Sequence, residues 1–335
     1  MSKIFITGVA GFLGSHLAEA LIKEGHEVVG VDNMVGGYID NVPEGVDFYV
    51  EDCLDLQTMK DLMEGCDIVY HLASACHEGL SIYSPYYFTM NTYQTSMAVI
   101  TAAIHNKVKR FVLCSSCARY GSIETPYTED MQPKPQDPYG IAKYASDLAL
   151  IDLSDTHGME YVIAIPHNII GTRQKYDDPY RNAASIMINR MLQGKPPIIY
   201  GDGLQERSFS FVSDIVDPMV KMGFADEAKN QVFNIGPDSG TTSVLDLAKM
   251  IAGIIGFEGE FQHEAPRHKE VRVVHASADK ARRLLGYEPT KDLREGLVEM
   301  VEDIKRRGTK PFQYHLDTEL PDSPTLPLTW KEKKF

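Results

Sequence analysis

Three glycines close to the start of the chain constrain its fold more than any other feature. Gly8, Gly11 and Gly14 follow directly on the apolar, β-type segment 3–7, and a helical pattern begins at the last of them. This order permits the tight turn, the close approach of backbone to phosphate and the tight helix–strand packing of a pyrophosphate site at a helix N-terminus. A second β-type segment ends in Asp32, 18 residues after Gly14. Because that is close to the spacing of a carboxylate that binds the adenosine ribose, the sequence predicts a dinucleotide site.

Asp32 also bears on the choice of dinucleotide. Its carboxylate repels a 2′-phosphate, and the residues that follow, 33–35, include no arginine to neutralise one. The sequence therefore predicts NAD rather than NADP as the cofactor.

The composition narrows the classes of partner. The chain has 335 residues and a net charge of −14, from 47 acidic and 33 basic residues. An acidic balance disfavours nucleic acid and anionic membrane surfaces as main partners. The chain begins with no signal-peptide pattern, and no apolar run approaches the roughly 18 residues of a membrane span. We therefore expect a cytoplasmic protein with no membrane partner.

The five cysteines indicate neither a disulfide framework nor a metal site. Cys114 and Cys117 form a C-x-x-C pattern, but Cys114 ends a buried strand pattern and no second pair accompanies them. Zinc and redox sites need more complete spacing, so we predict no metal in this protein.

Strand-like and helical segments alternate through the first half of the chain. The expected strands are 3–7, 27–32, 47–50, 67–72, 110–115 and 160–165, and the expected helices are near 14–24, 56–64, 86–106 and 138–157. Such alternation predicts an α/β fold with a Rossmann-type, doubly wound parallel sheet and a smaller C-terminal α/β substrate lobe.

The character of the sequence changes after about residue 167. Helices near 183–193, 213–226 and 243–256 and a strand near 231–235 are expected there. We expect an NAD-binding domain over 1–167, a substrate lobe over 168–308 from which a part is free to return to the first domain, and a proline-rich surface tail over 309–335.

A tyrosine and a lysine stand four residues apart in the predicted helix 138–157. At that spacing Tyr139 and Lys143 lie on one helix face. A phenol has an ordinary pKa near ~10, and a lysine ammonium together with the positive charge of an oxidised nicotinamide lowers that value. Ser115 and Ser116 end the predicted strand 110–115, where open parallel sheets bind their ligands. Either hydroxyl is placed to bind a substrate oxygen, the alternative being a turn cap.

The residues above, with further motifs in the same order, resemble the extended short-chain dehydrogenase/reductase family, and within it the nucleotide-sugar epimerases and dehydratases. The matching positions are Gly8, Gly11, Gly14, Asp32, Asp52, 71–73, Asn91, 115–121, Tyr139, Lys143, 166–168, Gly171, 200–203, Arg207, Arg267 and 278–281. They span about 300 residues, and the tail after about residue 308 lies outside the resemblance.

The resemblance implies a role for each motif. Tyr139 is expected to be the general base and acid, Lys143 to hold the nicotinamide ribose and tune Tyr139, and Ser116 to be the catalytic hydroxyl. Asp52 is expected at the adenine amino group. The full set of expected NAD contacts is Gly8, Gly11, Phe12, Leu13, Gly14, Asp32, Asn33, Asp52, Cys53, Leu72, Ala73, Ser74, Asn91, Ser115, Tyr139, Lys143 and Pro166.

The resemblance also implies that the substrate is a nucleotide-diphosphate sugar. Asn168, Arg207 and Arg267 are expected to bind the diphosphate, since arginine binds phosphate oxygens bidentately and a few suffice in an acidic protein. The alternative for each arginine is a surface ion pair. His77 is expected near the substrate, where it and Glu78 are candidates for a second acid/base, the alternative being a solvated loop histidine.

Departures from the family pattern select among reactions. Dehydrating members carry Asp-Glu where this chain has Cys117 and Ala118, and decarboxylating members carry glutamate at the position of Ala118. The resemblance therefore favours an NAD-dependent 4-epimerase that oxidises sugar C4 transiently. Three alternatives stay open: a 4-dehydrogenase, a non-catalytic NAD-binding sensor, and an epimerase at C3 and C5 that uses Cys76, His77 or Cys117.

The family's members usually pair through two helices, so the resemblance implies a homodimer. Those helices correspond to 86–106 and 138–157 here, and both carry apolar residues that serve equally well in the core.

Overall fold

The protein is represented by a computed structural model, which describes residues 1–238 and 240–335. Its strands are β1 (Lys3–Thr7), β2 (Glu27–Val31), β3 (Val46–Tyr49), β4 (Ile68–His71), β5 (Arg110–Cys114), β6 (Glu160–Pro166), β7 (Ile169–Ile170), β8 (Ile198–Tyr200), β9 (Glu206–Arg207), β10 (Ser210–Phe211), β11 (Gln231–Ile235), β12 (Thr242–Ser243), β13 (Gln262–Glu264) and β14 (Val273–Val274). Its helices are α1 (Phe12–Lys23), α2 (Leu56–Leu62), α3 (Glu78–Ser81), α4 (Pro85–Thr89), α5 (Thr95–His105), α6 (Pro138–His157), α7 (Ala183–Leu192), α8 (Val212–Phe224), α9 (Val244–Ile255), α10 (Asp279–Leu285), α11 (Leu293–Arg307) and α12 (Leu328–Lys331).

A seven-stranded sheet in the order β11-β6-β5-β4-β1-β2-β3 forms the centre of the first domain. All of its neighbouring strands run parallel. Apolar residues of α1, α8 and α10 pack on one face, and residues of α2, α5 and α6 pack on the other. Because both faces are covered, the central strands are apolar on both sides, as in the buried β1 and β4. The prediction of a doubly wound, Rossmann-type α/β fold is confirmed.

The sheet reverses its direction of winding between β1 and β4. The chain runs from β1 outward to β2 and β3, then returns to β4 and continues to β5 and β6. Open parallel sheets bind ligands at such a point, outside the carboxyl ends of the strands. The glycine loop after β1 and the loop after β4 therefore border the same crevice.

One predicted helix is divided in the structure. The segment 86–106 consists of α4, a π-helical turn over Met90–Gln94, and α5. Asn91 lies in the π-helical turn, and its carbonyl oxygen accepts a hydrogen bond from the backbone N–H of Ala75 at 3.1 Å. Such turns occur often at functional sites, and this one joins the helix to the loop after β4.

The second lobe gathers around its own apolar core. Residues of α7, α9 and α11 form that core, and short strands such as the parallel pair β8 and β13 flank it. The strand expected near 231–235 does return to the first domain, where β11 pairs with β6. None of the helices within residues 1–238 and 240–335 combines the length and the apolar character needed to span a bilayer.

The tail over 309–335 differs from its prediction. The relative solvent-accessible surface of Leu326, Thr329 and Trp330 is 6%, 0% and 6%. These residues are buried, so the expectation of a surface tail is wrong for this part. The physical reason is an apolar cluster that the tail completes: Leu326 and Trp330 pack with residues of the first domain such as Tyr83.

Candidate active site

A cavity of about 550 Å³ lies at the carboxyl ends of the strands, between the sheet and the second lobe. Every predicted site residue lines it: Gly8, Gly11, Phe12, Leu13, Gly14, Asp32, Asn33, Asp52, Cys53, Leu72, Ala73, Ser74, His77, Asn91, Ser115, Ser116, Tyr139, Lys143, Pro166, Asn168, Arg207 and Arg267. Residues that are up to 259 positions apart in the sequence thus share one space.

The glycine loop has the geometry of a phosphate cradle. Gly8 has a φ of +74°, a conformation that favours glycine. A side chain at Gly14 would overlap the carbonyl oxygen of Gly8, so α1 packs more closely on the loop than any other residue permits. Gly11 is the N-cap of α1 and offers no side-chain cap, which leaves the first N–H groups of the helix for a ligand.

Carboxylates stand at the ends of β2 and β3. Asp32 accepts hydrogen bonds from the backbone N–H of Ala10 at 3.1 Å and of Met34 at 2.8 Å. Burial raises the pKa of Asp32, and these bonds oppose the rise. Asn33 donates to the Asp52 carboxylate at 3.3 Å. Two acceptors beside a phosphate cradle match the ribose and adenine of NAD, so the residues present fit this cofactor.

Helix α6 carries the tyrosine and the lysine. Asp137 caps it by accepting a hydrogen bond from the N–H of Gly140 at 2.8 Å, which fixes Tyr139 in the first turn. Lys143 donates to the carbonyl oxygen of Cys114 at 2.8 Å, and its Nζ lies 5.9 Å from the ring centre of Tyr139. The helix cap and the end of β5 therefore hold the pair in place on one helix face.

The two serines after β5 have different tasks. Ser116 Oγ accepts a hydrogen bond from the N–H of Ala118 at 3.2 Å, so the cap expected as its alternative is present. The same hydroxyl lies near the phenol of Tyr139, and both side chains line the cavity. Ser115 donates to Asp147 at 2.8 Å, beneath the cavity wall. Ser116 is thus the hydroxyl that lies beside the phenol.

The pKa of Tyr139 departs from the sequence-based expectation. Burial raises the pKa of this phenol well above its ordinary value, Cys76 adds to the rise, and the nearby hydroxyl of Ser116 opposes it. Burial also lowers the pKa of Lys143. Lys143 alone therefore does not lower the pKa of the phenol to near 7. The sequence-based expectation also included the positive charge of an oxidised nicotinamide, which would lower this pKa further.

Two arginines and a glutamate line the opposite end of the cavity. Arg267 bonds Glu270, and an Nη of Arg207 lies 3.9 Å from the same carboxylate. The expected alternative, an ion pair, is present for Arg267, but it lies on the cavity wall and leaves the two guanidinium groups with one shared anion. Asn168 donates to the carbonyl oxygen of Ser208 at 3.2 Å.

Comparisons with known proteins agree with this geometry. The model of the NAD-dependent epimerase/dehydratase family matches residues 4–236. A putative UDP-glucose 4-epimerase of Methanocaldococcus jannaschii is 32% identical over 91% of this chain and 99% of that protein. The chain belongs to the NAD-dependent epimerase/dehydratase family.

Solved structures of epimerases have the same fold. UDP-glucose 4-epimerase of Thermotoga maritima, solved with UDP-glucose, superposes with a TM-score of 0.85 at 31% identity, over 91% of this chain and 99% of that one. UDP-glucuronic acid 4-epimerase of Bacillus cereus, solved with UDP-glucuronic acid and NAD, gives a TM-score of 0.83 at 29% identity, over 91% and 100%. The protein is an enzyme of the epimerase/dehydratase family, and NAD is its cofactor.

Within this family member, His77 lines the cavity near which it was expected, and it is not the solvated loop histidine given as the alternative. It is 4% exposed, and its Nε2 lies 2.9 Å from a carboxylate oxygen of Asp178. Burial lowers the pKa of His77, and Asp178 opposes that effect. The buried carboxylate of Asp178, in the segment after β7, holds this side chain in the interior. Local sequence does not reveal the contact.

His315 of the tail joins this pair. Its Nδ1 lies 3.7 Å from the Asp178 carboxylate, and ligand atoms of the three side chains lie within 4.8 Å of one another. A metal-bound histidine normally donates its other ring nitrogen to an acceptor, whereas Nδ1 of His77 has no such partner within residues 1–238 and 240–335. We interpret the cluster as a polar contact between the tail and the cavity wall, in which His77 and Asp178 are hydrogen-bonded and His315 lies close to the same carboxylate.

Several cavity residues were missed by sequence reasoning. Arg181 contacts Cys76, the carbonyl oxygen of Gly36 and the carboxylate of Asp178. Glu78, by contrast, was named above as a candidate acid/base; it faces the cavity, where desolvation and then Asp137 raise its pKa to about 7. Arg181 lies in a polar, irregular segment whose long-range contacts carry no local signal. In the tail, Trp330 was also missed, although the sequence marks it as the single tryptophan of the chain.

Proposed function

We propose that this enzyme is a 4-epimerase of a UDP-hexose, in which Tyr139, Ser116 and Lys143 carry the proton chemistry at sugar C4. The observation that carries the proposal is the shared cavity: the phosphate cradle, the Tyr139–Ser116 pair and the two arginines line one continuous space. That order matches a substrate whose sugar meets a nicotinamide and whose diphosphate extends toward Arg207 and Arg267.

Proton transfer at the C4 hydroxyl is the task of Tyr139. When bound, NAD supplies the acceptor and later the donor of one hydride. Tyr139 accepts the hydroxyl proton as the C4 oxygen becomes a carbonyl, and returns it after the sugar has turned. Ser116, whose hydroxyl lies near the phenol, orients the same oxygen, and the ammonium of Lys143 favours the phenolate.

Two residues beside Ser116 argue against other reactions of the family. Ala118 has no ionisable group, and burial raises the pKa of the Cys117 thiol to about 12. A thiol that stays neutral at pH 7 is a poor base for removing a proton from carbon. This supports C4 oxidation without dehydration or decarboxylation, and it weakens the alternative of epimerisation at C3 and C5.

The proposed binding site for the diphosphate of the substrate is argued from charge. Arg207 and Arg267 share Glu270, and a diphosphate with two negative charges is a better match for two guanidinium groups than one carboxylate. The uracil base is proposed because the relatives and solved neighbours described above are named for UDP-sugars.

Tyr139→Phe tests the proposal directly. We expect turnover of UDP-glucose and related UDP-hexoses to fall by about 10²–10⁴-fold, because the phenol oxygen that accepts and returns the proton is lost, while NAD affinity stays within error. Product stereochemistry by NMR and NAD binding by calorimetry are the measurements. Tyr144→Phe is the matched control: this phenol lies on the same helix, accepts a bond from Gln132 at 3.1 Å and does not line the cavity. Near-normal turnover by the Tyr139 variant contradicts the base assignment.

The 4-dehydrogenase is distinguished by its reduced cofactor. An epimerase recycles its NAD, whereas a dehydrogenase accumulates NADH in proportion to the keto sugar that it releases. Absorbance of NADH during turnover with added NAD separates the two. The sensor alternative is not supported, because the chain belongs to a family of enzymes and keeps Tyr139 and Lys143 in the cavity.

The homodimer and the cytoplasmic location remain predictions. Ile141 and Leu148 on α6 are 53% and 51% exposed and fit a helix that pairs with a second copy, whereas Ile100 and Leu150 are fully buried in the core. The solution mass by light scattering tests the dimer.

A further inference from the structure

The tail over 309–335 is fastened to the first domain by hydrogen bonds. The Glu319 carboxylate accepts bonds from the N–H groups of Tyr86 and Tyr87 at 2.9 and 2.8 Å, at the start of α4. The hydroxyl of Tyr83 donates to the carbonyl oxygen of Thr325 at 2.6 Å. Contacts of this kind give the segment a defined position beside the cavity.

The same tail is fastened to the second lobe. The hydroxyls of Tyr200 and Thr329 lie 2.6 Å apart, at the end of β8. Arg190 of α7 donates to the carbonyl oxygen of Lys334 at 3.3 Å. Since the two anchored ends belong to different lobes, the tail bridges the cleft, and its residues Pro327, Trp330 and Phe335 line the cavity.

Trp330 occupies the centre of this bridge. Its ring packs edge-on against Tyr180 and Tyr83, with centroids 5.6 and 6.2 Å away. A side-chain carbon placed on Gly79 would come within 3.3 Å of the indole and 3.7 Å of Arg267. The indole N–H has no hydrogen-bond partner among residues 1–238 and 240–335, and buried donors without a partner are uncommon in folded proteins.

The neighbours of Trp330 locate it along the substrate. It belongs to the same buried apolar cluster as Tyr139, and a side-chain carbon built on Gly79 would lie close to both the indole and Arg267. Under the proposed function, Tyr139 meets sugar C4 and Arg267 meets the diphosphate. The part of the substrate between those two points is the hexose ring with its substituents.

We propose that Trp330 is a specificity-determining residue, whose indole forms a rigid wall beside the hexose and limits the size of the sugar substituents that the cavity admits. The inference rests on the proposed function and names the part of the substrate that the tail recognises. A close-packed aromatic wall deforms little, so a larger substituent on the sugar would have to displace packed side chains.

The single tryptophan of the chain makes the wall directly visible. In NAD-loaded enzyme, we expect UDP-glucose to change the intensity or wavelength of tryptophan emission, and UDP alone to change it less, because UDP lacks the hexose. Calorimetry on the same samples measures binding independently. UDP-glucose that binds by calorimetry and leaves the emission unchanged overturns the inference.

Replacement of the wall tests specificity. In Trp330→Ala we expect the ratio of kcat/KM for UDP-N-acetylglucosamine to that for UDP-glucose to rise by about ten-fold or more, because space opens for the larger substituent. Trp330→Phe keeps a ring and is expected to shift the ratio less. Leu328→Ala is the matched control: this side chain is on the same short helix and 55% exposed, and the ratio should not change.

The outcomes separate this inference from the proposed function. If the alanine and phenylalanine variants bind NAD, turn over UDP-hexoses and keep the wild-type ratio, the wall is not a specificity determinant while the epimerase assignment stands. If wild-type holoenzyme neither binds nor turns over any UDP-sugar, the proposed function fails, and the inference fails with it.

Discussion

The two halves of the cavity differ in how their walls are assembled. In the cofactor half, the glycine loop, Asp32, Asp52 and the segment 72–74 come from the first 75 residues and follow directly on neighbouring strands. In the substrate half, the walls come from α3, the segment after β7, β9, the loop around Arg267 and the tail. The first half is therefore fixed by local turns on one sheet, and the second by contacts between segments far apart in the sequence.

The halves also differ in the source of their charge. The cofactor half presents backbone N–H groups at the start of α1, which bind a pyrophosphate without any basic side chain. The substrate half concentrates side-chain charges, among them Arg207, Arg267, Glu78 and Glu270. Under the proposed function, this acidic protein would bind two diphosphates by two different means. Changes in the first half should act through backbone geometry, and changes in the second through titration and packing.

The largest expected effect follows from closing the phosphate cradle. In Gly14→Ala, the new carbon would overlap the Gly8 carbonyl oxygen and lie 3.0 Å from the Cα of Val9, so backbone has to move. We expect NAD binding to be lost and the free energy of unfolding to fall by about 3 kcal/mol. Calorimetry with NAD and urea unfolding are the measurements.

Gly253→Ala is the matched control for that variant. Gly253 lies within α9, and a side-chain carbon there meets nothing within 4 Å. We expect normal NAD binding and a gain of about 0.5 kcal/mol, because alanine favours a helix more than glycine does. Equal NAD affinity in the two variants contradicts the assignment of the cradle.

An intermediate effect on stability is expected when the pH is lowered, because two histidines are buried in the core beneath the cofactor half. His71 lies 2.7 Å from the hydroxyl of Thr7 and 3.1 Å from that of Ser96, and burial lowers its pKa to about 3. Burial likewise lowers the pKa of His167 to about 4. Both histidines stay neutral in the folded protein, while the unfolded chain binds protons below its ordinary pKa of about 6.5. Stability is therefore complete above that pH and is lost as the pH falls.

Each of the two histidines should lower the free energy of unfolding by about 1 kcal/mol between pH 6.5 and 5.5. Urea unfolding at the two pH values measures the loss. Burial also lowers the pKa of His16, His77 and His315, which adds in the same direction. His71→Gln should reduce the pH dependence relative to wild type, and a stability that is flat or rises on acidification is the contrary result.

The same contrast explains which parts of the site the sequence could predict. The glycine loop, Asp32 and the Tyr139–Lys143 pair are short-range patterns on a strand, a turn or one helix face, and all of them line the cavity. The role of the tail could not be predicted, because Trp330 packs with Tyr83 and Tyr180 through contacts that no local pattern encodes. The pairing of His77 with Asp178 could not be predicted for the same reason, as it joins residues 101 positions apart.

The direction of the pKa of Tyr139 was also beyond the sequence. Spacing places Lys143 beside the phenol, but only the structure shows the burial that raises its pKa. In contrast, the boundaries of β1, α6 and β11 agree with their predicted ranges, since Pro138 begins α6 and Gly158 ends it in a left-handed conformation.

The smallest expected effect is a change in the pH dependence of substrate binding, from Glu78→Gln. Burial and Asp137 raise the pKa of Glu78 to about 7, while Arg207 and Arg267 oppose that rise. Above this pH the carboxylate is ionised and competes with the substrate diphosphate for both guanidinium groups. We therefore expect the KM of wild-type enzyme for a UDP-hexose to rise several-fold between pH 6 and 8. The glutamine variant should hold its KM constant over that range, with kcat unchanged, because an amide keeps the shape and cannot ionise. Steady-state kinetics at several pH values is the measurement, and parallel KM profiles in the two proteins would show that charge in the substrate half does not govern binding.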